Sequence, residues 1–258
     1  MSFLDPEYLL RVFLIFVRIG GLLAVAPFFS NQSFPIQVKV FLSVLMAYAL
    51  SGLIPGPLPE YALSTFGLVF AIIIEVFTGI VLGFAAQFIF WTIQFAGEIL
   101  GFQMGLGLAQ VMDPLNGEPS NPLGRMLGLL FLMVFVLLEG HHQVLQALVA
   151  SFQVVPLAGA RLAVAGPLFL TWTGNFLMTA LRLASPFMIT IFLVDISLGI
   201  FARMAPQTDL FSIGLPVKIF VGLGLFLFYV QNFVPAIPEM VSQMFDDMLR
   251  LIESLTPV

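Results

Sequence analysis

Gly97-Glu98-Ile99-Leu100-Gly101-Phe102-Gln103-Met104-Gly105-Leu106-Gly107-Leu108-Ala109-Gln110-Val111 closes an apolar run that begins at Phe66 and carries only two charges, Glu75 and Glu98. As a single helix these residues, about 46 in all, would reach roughly 70 Å, against a hydrocarbon core of about 30 Å. The run therefore reads as two parts. Phe66 to about Ala96 is long enough to cross a bilayer. Gly97 to Val111 is too short to cross and too rich in glycine for a stable free helix. After it the chain breaks at Met112-Asp113-Pro114-Leu115-Asn116-Gly117-Glu118-Pro119-Ser120-Asn121-Pro122. Irregular backbone survives at membrane depth only inside protein or along a water-filled path. This is where function is expected first.

Composition sets the class. The 258 residues are 60% hydrophobic and 9% charged, where a soluble domain carries about 25% charged residues. Only an integral membrane protein, in contact with the lipid bilayer, fits. A net charge of -5 leaves no basic stripe to neutralise phosphates, which argues against nucleic acid. Without cysteine there is no disulfide, thiolate metal site or thiol nucleophile. Met1-Ser2-Phe3-Leu4-Asp5-Pro6-Glu7 has no basic n-region and reads as mature protein.

Six apolar segments stand out: Tyr8–Phe29, Gln37–Ile54, Phe66–Ala96, Leu123–Ala150, Val164–Ile200 and Ile213–Val234. They predict an all-α membrane protein with several broken or kinked helices and a re-entrant-like Gly/Pro loop in the middle. The fifth segment is too long for one span, and a break at Ser185-Pro186 would divide it. The expected division is a membrane domain over 1–238 and an amphipathic C-terminal helix over 239–258. In that tail Met244, Phe245, Met248 and Leu249 lie on the apolar face, opposite Glu239, Gln243, Asp246, Asp247, Arg250 and Glu253. The face suits either a partner protein or the chain's own core. The loop cations do not fix an orientation, because Lys39, Arg125, Arg203 and Lys218 are nearly balanced by Arg11, Arg161 and Arg250.

Charges within apolar stretches need partners, since each costs about 2.5–3.5 kcal/mol at a helix centre. Arg18, Glu75, Arg182 and Asp195 are such residues. Arg182 and Asp195 are about 140° apart around one helix and cannot pair within it, so their partners belong to other helices. These charges read as glue between helices or subunits, or alternatively as a proton or ion relay. Glycines four apart, at Gly79/Gly83, Gly97/Gly101/Gly105 and Gly124/Gly128, allow close helix approach, within the chain or between chains.

Catalytic signatures are missing from the sequence. Glu139-Gly140-His141-His142 holds both histidines, but adjacent helical residues point about 100° apart and cannot chelate as an i, i+4 pair does. No metal, cofactor or enzymatic activity is expected, and no nucleotide loop is present.

Gly101-Phe102-Gln103-Met104-Gly105 followed by Asp113-Pro114, then Gly140-His141-His142 and Ser151-Phe152 with Pro156, resembles the FliR family. So does the run Leu198-Gly199, Ala202-Arg203, Pro206-Gln207, Phe211 and Gly214-Leu215-Pro216-Val217-Lys218. This is the R-type component of the flagellar type III export gate, with relatives (SctT) in injectisomes. Departures are small: Glu139 stands where the family often has Asp, and Thr208-Asp209-Leu210 replaces a more usual Asn-containing stretch.

The resemblance implies a subunit of the bacterial inner membrane at the flagellar basal body. It would join P-type and Q-type partners (FliP, FliQ) in a protein-conducting gate and lie near the switch component FlhB. Unfolded flagellar proteins would be its cargo. The family's loop after the Gly-Phe-Gln-Met-Gly string helps plug the channel, which makes Phe102, Met104, Leu106, Leu108, Met112, Asp113 and Pro114 the expected gating residues. Arg18, Glu75, Arg182, Asp195, Arg203 and Lys218 are expected as buried or intersubunit charges. The alternatives are an injectisome homologue, or a secondary transporter with broken helices around a midplane site.

Overall fold

The computed structural model describes residues 5–30, 34–54, 58–107, 121–161, 165–205, 207 and 210–256, and all regular structure among them is helical. The helices are α1 (Pro6–Val25), α2 (Ile36–Ser51), α3 (Thr65–Gln103), α4 (Pro122–Leu137), α5 (Gly140–Val154), α6 (Ala165–Met204), α7 (Leu210–Phe233) and α8 (Ile237–Ser254). Short 3-10 turns lie at Glu60–Leu63 and Val234–Ala236. Among the described residues four helical stretches are long and apolar enough to cross a membrane, or up to five if α4 and α5 form one broken span.

Three sequence expectations need correction. First, α3 runs unbroken for 39 residues to Gln103, about 58 Å at helical rise, so Gly97–Gln103 is helix rather than irregular backbone. Second, α6 continues through Ser185-Pro186 for 40 residues. Pro186 cannot donate to the carbonyl of Arg182, but the Ser185 hydroxyl donates to that oxygen at 2.9 Å instead. Third, the apolar segment from Leu123 to Ala150 is divided between α4 and α5. Glu139 interrupts it in the left-handed region, with φ of 57°, which a non-glycine residue seldom adopts.

The chain folds into two compact units. The first comprises 1–89, 138–173 and 240–258. Within it α1 crosses α3 at glycine contacts: a Cβ at Gly21 would lie 2.7 Å from the carbonyl oxygen of Val76, and one at Gly79 would overlap that of Arg18. Gly79 and Gly83 thus serve a crossing inside the chain. Leu14, Ile15, Ile19 and Leu22 of α1 are buried here, together with Val144 and Leu148 of α5. Tail residues 240–258 belong to this unit, and Arg161 N–H donates to the carbonyl of Leu255 at 3.1 Å.

The second unit comprises 90–137 and 174–239. Its core is aromatic: the Phe90 ring meets Phe131 edge-on at 4.6 Å and Phe135 at 5.2 Å. Edge-to-face pairs of this kind add about 0.5–1.5 kcal/mol beyond area burial. Gly97 and Gly124 bring α3 and α4 together, since a Cβ at Gly97 would lie 2.7 Å from Gly124 Cα. Large apolar side chains remain exposed along α6 and α7, among them Ile189, Phe192, Phe220, Leu227 and Phe228. Such faces belong against lipid or other subunits.

Candidate functional site

The end of α3 is set by hydrogen bonds that the glycine string makes possible. Leu106 N–H donates to the carbonyl of Gly101 at 3.0 Å, and Gly105 N–H donates to that of Phe102 at 3.0 Å. This pair of bonds is a Schellman stop, which requires a left-handed residue at Gly105. Its φ is 81°. Gly101 answers a different demand, because the Asn121 side chain occupies the space where its Cβ would stand.

Asn121 ties the loop's exit to its return. Its amide nitrogen donates to the carbonyl of Glu98 at 3.4 Å. Its Oδ1 accepts from Leu123 N–H at 3.0 Å, and its carbonyl accepts from Arg125 N–H at 3.1 Å. Asn121 therefore caps α4, with Pro122 at the first helical position where a missing N–H costs nothing. The residue is 5% exposed. Residues 101 and 121 close the base of the loop as a stem, independently of what the loop does. The motif reading missed Asn121 as a functional residue, although an Asn-Pro pair before an apolar run is a helix-start signal.

The expected gating residues fall in different settings. Met104 is fully buried, and Gly222 of α7 leaves room for it, since a Cβ there would come 2.5 Å from Met104 Cγ. Leu106 is half-buried, whereas Phe102 is 75% exposed. Leu108, Met112, Asp113 and Pro114 lie outside the described residues.

The charges separate into three kinds. Arg18 and Glu75 form a two-pronged ion pair inside the first unit, with Nε–Oε2 at 2.5 Å and Nη2–Oε1 at 2.9 Å, both side chains 0% exposed. The guanidinium also donates to the carbonyls of Ser151 at 3.1 Å, Val155 at 3.3 Å and Pro156 at 3.4 Å, and stacks 4.4 Å from the Phe152 ring centre. Ala158 N–H donates to Glu75 Oε1 at 2.6 Å, and the Tyr61 hydroxyl donates to the Ala158 carbonyl at 2.6 Å. Burial first, then the charge of Glu75, pushes the Tyr61 hydroxyl above its ordinary value, which keeps it a donor. The Arg18–Glu75 charges are thus satisfied within the chain. The Ser151-Phe152 and Pro156 positions wrap this pair.

Asp195 of α6 pairs with Lys218 of α7 at 2.5 Å, both partly exposed. Its partner is indeed on another helix. Arg182 is exposed and has no acidic partner among the described residues. Arg203 is exposed in the last turn of α6, where a cation complements the helix dipole. His142 Nδ1 stands 3.4 Å from Glu139 Oε2 at an exposed helix start.

In the tail, Met244 and Met248 are 3% and 0% exposed, packed in the first unit, while Phe245 and Leu249 are half-buried. Docking through all four residues meets this obstacle: two of them already have the chain's own core as their partner.

The model of the bacterial export proteins, family 1, matches residues 9–244. The chain belongs to this family. Among its relatives, the flagellar biosynthetic protein FliR of Escherichia coli (strain K12) is 30% identical over 240 residues, covering 93% of this chain and 91% of that protein. FliR of Bacillus subtilis (strain 168) is 26% identical over 253 residues, covering 96% and 95%. The surface presentation of antigens protein SpaR of Shigella sonnei is 29% identical over 217 residues, covering 84% and 82%. In this export protein the glycine string is a helix stop with a stapled loop base, and the Ser-Phe-Pro positions are the wrapping of a buried arginine.

Proposed function

We propose that this export protein is a non-catalytic subunit of the bacterial flagellar type III export gate in the inner membrane, at the flagellar basal body. It forms part of the protein-conducting channel with P-type and Q-type subunits (FliP, FliQ) and supplies its plug from residues 106–122. Unfolded flagellar proteins pass the gate, and the switch component FlhB lies near the tail. The observation that carries the plug reading is the staple at Gly101 and Asn121, which gives the intervening loop a fixed base. The root therefore stays in place whatever residues 108–120 do. Met104 would remain at the root, and Phe102, Leu106, Leu108 and Met112 would supply apolar closure.

The uncovered apolar faces of α6 and α7 support assembly, together with Arg182 on α6, which has no acidic partner among the described residues. An apolar face carrying a charge is better covered by protein than by lipid. Co-expression with the P-type and Q-type subunits should yield one stable complex in mild detergent. A well-behaved monomer, with the co-expressed partners left unbound, would refute the proposal. Similarity to SpaR of Shigella sonnei favours an injectisome gate as the second reading. Restoration of motility, or only of injectisome secretion, in matching deletion strains separates the two.

A further inference from the structure

In the second unit a cavity of about 400 Å³ opens between α6 and α7. Its walls are mostly apolar, with Phe187, Phe228 and Phe233 among them. Of the four polar side chains in the lining, Thr190 and Asn232 already donate to the carbonyls of Pro186 and Phe228, which leaves Arg182 and Tyr229. The Tyr229 hydroxyl is buried and has no hydrogen-bond partner among the described residues. The Arg182 guanidinium has no acidic partner among the described residues. Its backbone carbonyl, by contrast, is already satisfied by the Ser185 hydroxyl. Two hydrogen-bond donors, one of them cationic, therefore await an acceptor in an apolar recess.

We propose that this recess receives a carboxylate side chain from an apolar helix of a neighbouring gate subunit. The proposal rests on the assembly reading above. A carboxylate offers two oxygens, enough for the guanidinium and the tyrosine hydroxyl together. The apolar wall fits the flanking residues of a membrane helix, and the donors fit its single acid. A lipid phosphate is the weaker match, because its apolar tails lie to one side of the phosphate. A carboxylate within an apolar helix has apolar neighbours on both sides, as Arg182 has in the exposed Met178 and Ile189. The exposed Met178, Leu181 and Ile189 around Arg182 extend the apolar contact on α6.

The test places a benzoylphenylalanine photocrosslinker at Phe228 in the full chain, expressed in its host with the native complex, and maps the adduct by mass spectrometry. The expected adduct is a peptide of another gate subunit with one Asp or Glu inside an apolar run. Arg182→Gln should then lower complex recovery about tenfold, and Tyr229→Phe, which removes one donor without changing shape, by less. Arg182→Glu combined with a Lys at the mapped acid should restore recovery. An adduct on lipid or on a second copy of this chain overturns the proposal, as does Arg182→Gln with wild-type recovery. In those cases the assembly reading stands. Purification of the wild-type chain without partners overturns both.

Discussion

Two charged sites, one in each unit, are handled in opposite ways. In the first, Arg18 and Glu75 are fully buried and every prong of the arginine has a partner from the same chain. In the second, Asp195 and Lys218 pair at a partly exposed position, and Arg182 stands open beside an apolar recess. The Arg18–Glu75 site has closed its electrostatics by folding. The Arg182 recess leaves its charge for assembly. A charge in an apolar segment therefore does not announce its role by type or depth; the role follows from whether the chain itself brings the partner.

The comparison is broken most severely at the buried pair. Glu75→Gln should destabilise the chain by about 3–5 kcal/mol, because it leaves Arg18 buried without its counter-charge. The measurement is thermal unfolding of the purified complex in detergent. A double change, Arg18→Met with Glu75→Leu, sharpens the point. It should remain destabilised, since the Val155 carbonyl loses its donor and the Ala158 N–H its acceptor, at about 1–3 kcal/mol per unsatisfied buried group. The carbonyls of Ser151 and Pro156 keep the N–H groups of Val155 and Gly159. A fully stable double variant would mean that the pair is replaceable by simple packing.

Next in size is the loop base. Gly101→Leu forces a side chain into the space held by Asn121 and should cost about 1–3 kcal/mol by overpacking. Limited proteolysis should then cut near residues 108–120 before the rest of the chain. Lys218→Met should change stability by about 0.2–1 kcal/mol, as a partly exposed pair contributes little. A loss as large as that of Glu75→Gln would erase the contrast between the two sites. Smallest in stability is the tail: Phe245→Glu with Leu249→Glu should stay within about 1 kcal/mol, as expected for positions that keep a path to solvent. Association with the switch component, read by co-purification, should fall while the gate core still forms. Unfolding of the first unit instead would show that these residues belong to its core.

Much of this was legible beforehand, and what was not has a physical reason. Hydropathy and period located the helices, the tail's amphipathic face and the membrane class, and the motif strings pointed to the export family. The glycine string was misread as irregular because propensity counts glycine as a helix breaker. Here the side chain of Asn121 and the backbone of Gly124 fill the space those glycines leave. Pro186 was read as a break because the neighbouring hydroxyl that replaces the lost hydrogen bond is a matter of rotamer, not of pattern. Partners as distant in sequence as Arg18 and Glu75 come together only through the α1–α3 crossing. Asn121 was visible as a cap signal, but its reach back to Glu98 was not.

The account's central claim is that the segment between the Gly101 and Asn121 staples closes the gate. The direct measurement removes several residues within 108–120, keeps both staples, and records ion leak from vesicles containing the assembled complex. The wild-type complex should hold an ion gradient, and the shortened variant, recovered in equal amount, should dissipate it. Equal tightness of both complexes, with export unchanged, would contradict the claim and leave the loop a connector.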